Sequence, residues 1–338
     1  MRGPFLVAVL TWSIFGCASE SVTRPPPPPV DWASLEVKAA PSKPAKPTAT
    51  AKERGVAESY LRALATPKLT DLGRLLADDA HFAFAGYKDV HGRDSIVNVH
   101  EALLGAFDTR SFVERRHFLT ASSQVLEWTM TAVHKASQKK VTINGVSLLW
   151  TNDDGLVTDL HFYFDQALAD AQSGVGPKSL LSLAPPLLPT APAEEIEQST
   201  NAAESANVAV VRSSLEAFED RNVPAYLATL SDDVELNSLE DTKPLRGKKD
   251  ARGYLEGMHK SIGHLDTSIE DIWGIGAYVV VEYDIVGEQR GPIFFVPTQP
   301  DNLVKLFVAA VVRLEAGKIT NIWRYSNPAQ LLLVQPHP

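Results

Sequence analysis

The chain has 338 residues, is 44% hydrophobic and 22% charged, and carries a formal net charge of -9. That length accommodates about two domains, and an acidic chain without a basic stripe excludes the footprint that nucleic-acid binding needs. Cys17 is the single cysteine, so no disulfide can form within the chain.

At the N-terminus Arg2 precedes the apolar FLVAVL and then Trp12 to Phe15, a signal-peptide layout too short to cross a bilayer core of about 30 Å. Ile14, Phe15, Gly16 and Cys17 resemble the lipobox of bacterial lipoproteins. That resemblance implies cleavage before Cys17 and diacylglycerol on its thiol. Ala18 after the cysteine implies sorting to the outer membrane, so the expected address is the cell envelope, lipid-anchored. Residues 1–17 are read as signal peptide and 18–52 as a Pro-rich tether, since RPPPPPV (24–30) and PSKPAKPTATAK (41–52) favour extended polyproline II.

Lys52 to Leu64 is predicted as a helix, with Val56, Tyr60 and Leu64 on one face. A short helix is expected over 70–77 and a strand over 80–86. The helix predicted over 94–107 buries Ile96, His100, Leu103 and Phe107. Strands are expected at 111–119, 122–134, 141–151 and 156–165, the last two joined as a hairpin by NDDG. Residues 173–204, with five prolines and the acidic EEIEQ, read as a linker, and LLSLAPPLLP within it is apolar enough to lie on a domain surface.

Beyond the linker the order repeats: helices at 208–219, 224–230 and 250–262, and strands at 234–238, 277–286, 304–314 and 319–326. LLADDAHFAF (75–84) returns as TLSDDVELNS (229–238), HGR (91–93) as RGK (246–248), and GLVTDLHFYFDQ (155–166) as GKITNIWRYSNP (317–328). Helices followed by strands mean an α+β class. This order, with DDAHFAF, HGR and DLHFYFD, resembles the SnoaL-like branch of the NTF2-like superfamily. The resemblance implies two tandem cone domains, 53–172 and 205–335, each with about three helices on a strongly bent antiparallel sheet around a pocket. It also implies that members include isomerases, cyclases and proteins that only bind.

Strand alternation selects the candidate pocket residues. Leu126, Trp128 and Met130 share a core face matched by Val281, Tyr283 and Ile285, while Glu127, Thr129, Glu282 and Asp284 are expected to face solvent. On the closing strands His161, Tyr163 and Asp165 share a face, as do Trp323, Tyr325 and Asn327. His161 and Asp165 stand about 13 Å apart in a regular strand and form no dyad. Tyr60, His81, His100, Trp128, His161, Tyr163, Tyr283, Trp323 and Tyr325 are therefore the ligand-binding candidates, and His81, Asp165 and Tyr163 the catalytic ones. His91 and His117 read as turn and surface residues. No spacing resembles a metal or phosphate motif, so no metal or cofactor is expected.

His81, His161 and Asp165 become Glu235, Trp323 and Asn327 in the second copy, so no candidate acid or base is shared. The expectation is a lipid-anchored protein binding a small apolar ligand or a protein partner without catalysis. The alternatives are an isomerase, cyclase or dehydratase confined to the first domain, and a structural scaffold. Leu160, Phe162 and Phe164 are expected to face the second domain in an intrachain pseudo-dimer, with Arg324 at the rim of the contact.

Overall fold

The computed structural model describes residues 51–85, 87, 89–120, 123–175, 191–238, 244–294, 296–298 and 303–332. Cys17, the tether up to residue 50 and the LLSLAPPLLP segment lie outside the described residues. The first repeat runs α1 (Ala51–Ala65), α2 (Thr70–Gly73), β1 (Leu76–Phe84), β2 (Val90–His91), α3 (Arg93–Leu104), β3 (Phe107–Leu119), β4 (Ser123–His134), β5 (Lys140–Thr151), β6 (Val157–Phe164), α4 (Gln166–Ser173) and β7 (Glu194–Glu197). The second runs α5 (Ala202–Glu219), α6 (Val223–Thr229), β8 (Leu230–Ser238), β9 (Leu245–Arg246), α7 (Gly247–Ser261), β10 (Ile262–Ile275), β11 (Tyr278–Gln289), β12 (Leu303–Glu315) and β13 (Lys318–Ser326). A short 3₁₀ helix, Pro328–Leu332, follows.

Local chemistry sets the element ends. Pro67 prevents α1 from continuing, and the Thr66 hydroxyl donates back to the Ala63 carbonyl at 2.7 Å. At α5, Asn201 and Glu204 form a reciprocal capping box. Asn222 caps α6, which has a proline in its first turn. In the β5–β6 hairpin the Asn152 side chain accepts from the Leu156 amide at 2.9 Å.

Each sheet curls around its helices. Strand orders are β2-β1-β6-β5-β4-β3-β7 and β10-β11-β12-β13-β8-β9. The register slips twice in β3, between Asp108 and Ser111 and between Glu114 and Arg116, and twice in β10, between Gly263 and Asp266 and between Ile269 and Asp271. Such bulges bend a strand and increase its twist, which makes each sheet an open cone. Neither sheet is purely antiparallel as expected, because β1 pairs parallel to β6 and β8 parallel to β13. Helices α3 and α7 lie on the crossover paths that this pairing requires.

Besides the two-residue strands β2 and β9 and the closing 3₁₀ helix, three longer elements have no counterpart in the sequence reading. Strand β10 is absent from it, because its run of Asp, Thr, Ser and Glu does not alternate cleanly. Helix α4 and strand β7 fall in or beside the stretch read as a linker; β7 pairs parallel to β3 and extends the first sheet. Helix α3 ends at Leu104, so Phe107 opens β3, and Leu104 rather than Leu103 completes the buried face with Ile96 and His100.

Sheet packs on sheet between the repeats. Phe118, Val125, Val146, Leu148 and Tyr163 of the first form one buried cluster with residues of the second that include Tyr278, Val280, Val311 and Tyr325. Glu127, Thr129, Glu282 and Asp284 are consequently buried, with at most 2% of their surface exposed. This corrects the expectation that they face solvent, because the face opposite each core is covered by the other repeat. The closing strand is also inverted relative to expectation. Leu160, Phe162 and Phe164 belong to the first repeat's own core, while Tyr163 turns to the second.

Candidate functional site

The two cones are filled differently. In β4, Trp128 lies opposite Gly145 of β5, where a Cβ would come 2.2 Å from the indole. The missing side chain makes room for the ring, which stacks on Phe162 at 5.3 Å between centroids. Its Nε1 donates to Ser147 at 2.9 Å, and Ser147 donates to Tyr60 at 3.3 Å. His100 donates from Nδ1 to the Ile96 carbonyl, and its ring lies 4.6 Å from Phe82 and 5.6 Å from Phe162. Burial lowers the His100 pKa to about 4, keeping it neutral. Aromatic rings thus occupy the first cone.

In the second cone Tyr283 takes the place of Trp128, Val308 that of Gly145 and Arg324 that of Phe162. A cavity remains, its empty space about 540 Å³ with open solvent included. It is walled largely by aliphatic and aromatic groups, with Ser214, Tyr226, Tyr254, Tyr283 and Arg324 as its polar members. The Arg324 guanidinium lies 5.1 Å from the centre of the Tyr254 ring. It is 6% exposed, and its Nε and Nη2 have no hydrogen-bond partner among the described residues. Burial pushes the Tyr226 hydroxyl up to about 12, against the opposing pull of Arg324. Arg324 is therefore inside the second cone, not at the rim of the domain contact, since the even-numbered face of β13 points inward.

A second group of polar side chains lies between the repeats. The Tyr163 hydroxyl donates to Glu282 at 2.8 Å, and the Tyr325 hydroxyl donates to Glu127. Glu127 also pairs with Arg116, whose guanidinium sits 3.6 Å over the Trp323 ring. Glu282 pairs instead with His161 Nδ1 at 2.8 Å. His161 Nε2 is 3.3 Å from Asp159, which accepts from His81 Nδ1 at 2.8 Å. Burial alone would lower the His161 pKa, but Glu282 and Asp159 outweigh it and push it up to about 10. The hydrogen bond to Asp159 raises His81 likewise.

Of the sequence candidates, Tyr60, His100 and Trp128 lie inside the first cone, Tyr283 lines the second cavity, and His81, His161, Tyr163, Trp323 and Tyr325 lie on the opposite sheet faces. Tyr60 and His100 are thus on the other side of the sheet from His81 and Tyr163. Asp165 is the N-cap of α4, accepting from the Leu168 amide at 2.8 Å, so it anchors a helix instead of facing a pocket. His117 is 5% exposed beside Gln124 at 3.1 Å and is not a surface residue. Sequence reasoning missed Ser214, Tyr226, Tyr254 and Arg324 as cavity groups. The usable signal was the repeat itself, which sets a charged residue where the first copy has a core phenylalanine.

A two-layer arrangement of helices on a bent mixed sheet, present twice in one chain, defines a tandem NTF2-like protein. The family model for the SnoaL-like domain matches residues 57–160 and 211–322, and the chain belongs to that family. Similar solved structures include one described as a SnoaL-like polyketide cyclase from Jannaschia sp. CCS1 (18% identity, 42% of this chain and 99% of that one, TM-score 0.37). Others are a protein with a ketosteroid isomerase-like fold from Catenulispora acidiphila in complex with trimethylamine (18%, 37% and 95%, 0.34) and an epoxide hydrolase from M. tuberculosis (21%, 38% and 87%, 0.32). No curated protein matches the chain.

Proposed function

We propose that this is a lipid-anchored envelope protein whose second SnoaL-like domain binds a small apolar molecule carrying an anionic group, without transforming it. The observation that carries this reading is the buried guanidinium of Arg324, whose Nε and Nη2 have no hydrogen-bond partner among the described residues, in an apolar cavity. A buried charge without a partner is costly, and a ligand carboxylate or phosphate would meet it in a short charge-assisted pair. The cavity walls would take the apolar part. Among the described residues no carboxylate, imidazole or thiol lines the cavity, which leaves it without the usual general bases. The first domain, its cone filled by Trp128 and Phe162, serves as a support.

The envelope address rests on the Ile14-Phe15-Gly16-Cys17 pattern, and Cys17→Ser should abolish labelling by radioactive palmitate. For the ligand, untargeted mass spectrometry of small molecules copurifying with the chain should find an apolar acid that is depleted in Arg324→Leu. Recovery of only neutral molecules, equally in both proteins, would refute the anionic assignment. The isomerase, cyclase or dehydratase alternative in the first domain is weakened by the division of Tyr60 and His100 from His81 and Tyr163 by the sheet.

A further inference from the structure

The side chains of His81, Asp159 and His161 bring two imidazole nitrogens and a carboxylate oxygen within 4.8 Å of one another. They come from β1 and from alternate positions of its parallel neighbour β6, with His81 directly opposite Asp159. Asp159 Oδ1 is 2.8 Å from His81 Nδ1 and 3.3 Å from His161 Nε2. A tetrahedral ion bound at zinc-like distances needs ligand atoms about 3.3 Å apart, so small side-chain adjustments would admit one.

The far nitrogen of each imidazole also faces a carboxylate. His161 Nδ1 lies 2.8 Å from Glu282 of the second domain, and His81 Nε2 lies 3.4 Å from Asp89. Metal-ligating histidines ordinarily donate their second ring N–H to such a group, which fixes the tautomer and makes the ligating nitrogen more basic. Here both are oriented in that way, so that a metal ion displacing the protons that His81 Nδ1 and His161 Nε2 hold toward Asp159 would meet both nitrogens at the point this carboxylate also faces. The three side chains are between 22% and 38% exposed, so an ion has access. In the second repeat the equivalent positions hold Glu235, Asn321 and Trp323, a set without an imidazole.

We propose that His81, Asp159 and His161 form a binding site for one divalent transition-metal ion, a two-histidine, one-carboxylate set with an open position. Zinc is the probe of choice, since borderline ions favour imidazole with a carboxylate. Bound metal would tie β1 and β6 to Glu282 of the second domain through His161. The site is separate from the cavity around Arg324 and does not depend on its ligand.

The test is a zinc titration of the untagged full chain, stripped by chelator and read by competition with a chromophoric chelator. One equivalent should bind, and His81→Gln and Asp159→Asn should each weaken it at least a hundredfold. Glu282→Gln, which only orients His161, should weaken it about 10- to 100-fold, and His264→Asn should leave it unchanged. Zinc should also raise the melting temperature of the parent but not of His81→Gln. His81→Gln changes a part-exposed group and decides the matter if Asp159→Asn does not fold. Absence of stoichiometric binding, or binding indifferent to His81→Gln, would overturn the proposal.

Discussion

Tyr163 of the first domain donates its hydroxyl proton to Glu282 of the second. Tyr325 does the same for Glu127 in the reverse direction, and the four residues occupy equivalent positions in the two repeats. The third member of each set differs. Glu127 is balanced by Arg116, which stacks on Trp323, whereas Glu282 is balanced by His161. Arg116 lies beside Glu127 in the ladder where the second repeat places Asp271 beside Glu282. The chain has thus exchanged Arg with Trp on one side for Asp with His on the other. Burial, with Glu282 nearby, pushes Asp271 up to about 6.

Removing Arg116 should therefore be costly. Arg116→Ala leaves the fully buried Glu127 without its counter-charge and should lower unfolding free energy by about 3–5 kcal/mol. Tyr325→Phe keeps the ion pair and should cost about 1–3 kcal/mol. Urea denaturation measures both. Equal losses would mean that Arg116 contributes little beyond an ordinary hydrogen bond.

Gly145 should be intolerant of a side chain. An added Cβ meets the Trp128 ring at 2.2 Å, and Gly145→Ala should destabilise by about 1–3 kcal/mol through overpacking. Near-ultraviolet circular dichroism should report the displaced indole. An unchanged spectrum and unchanged stability would show that the first cone has room to spare.

Much of the fold was legible because hydrophobic period survives in both copies. Val56, Tyr60 and Leu64 are buried as their spacing predicts, and Trp128 and Tyr283 both face their cores. The faces of β6 were not legible, because a strand covered on both sides is apolar on both sides. Phe162 and Tyr163 are equally plausible core residues until the second sheet is in place. The cluster of His81, Asp159 and His161 was hidden for another reason: His81 is 78 residues from Asp159, and a parallel pairing brings them together. Arg324 was visible as an odd residue in an apolar strand, but its direction depended on the same choice of faces.

His100 should make stability fall in mild acid. Its pKa is held near 4 by burial in the folded state against 6.5 as the ordinary value, so the unfolded chain takes up a proton that the folded chain refuses. Above pH 6.5 the group contributes no pH dependence. As the pH falls from 6.5 toward 4 it should remove up to about 3 kcal/mol. His100→Leu, which copies Leu255 of the second repeat, should flatten that part of the profile. Denaturation midpoints at several pH values would check it, and an equally steep profile in the variant would assign the loss to other groups.

Whether Arg324 selects an anionic ligand is decided by a calorimetric titration of the full chain with dodecanoate and with dodecan-1-ol, repeated on Arg324→Met. Dodecanoate should bind saturably at one site, the alcohol at least tenfold more weakly, and the variant should lose that preference. Equal affinity for acid and alcohol in the parent, or a preference for the acid that survives the loss of Arg324, would contradict this role.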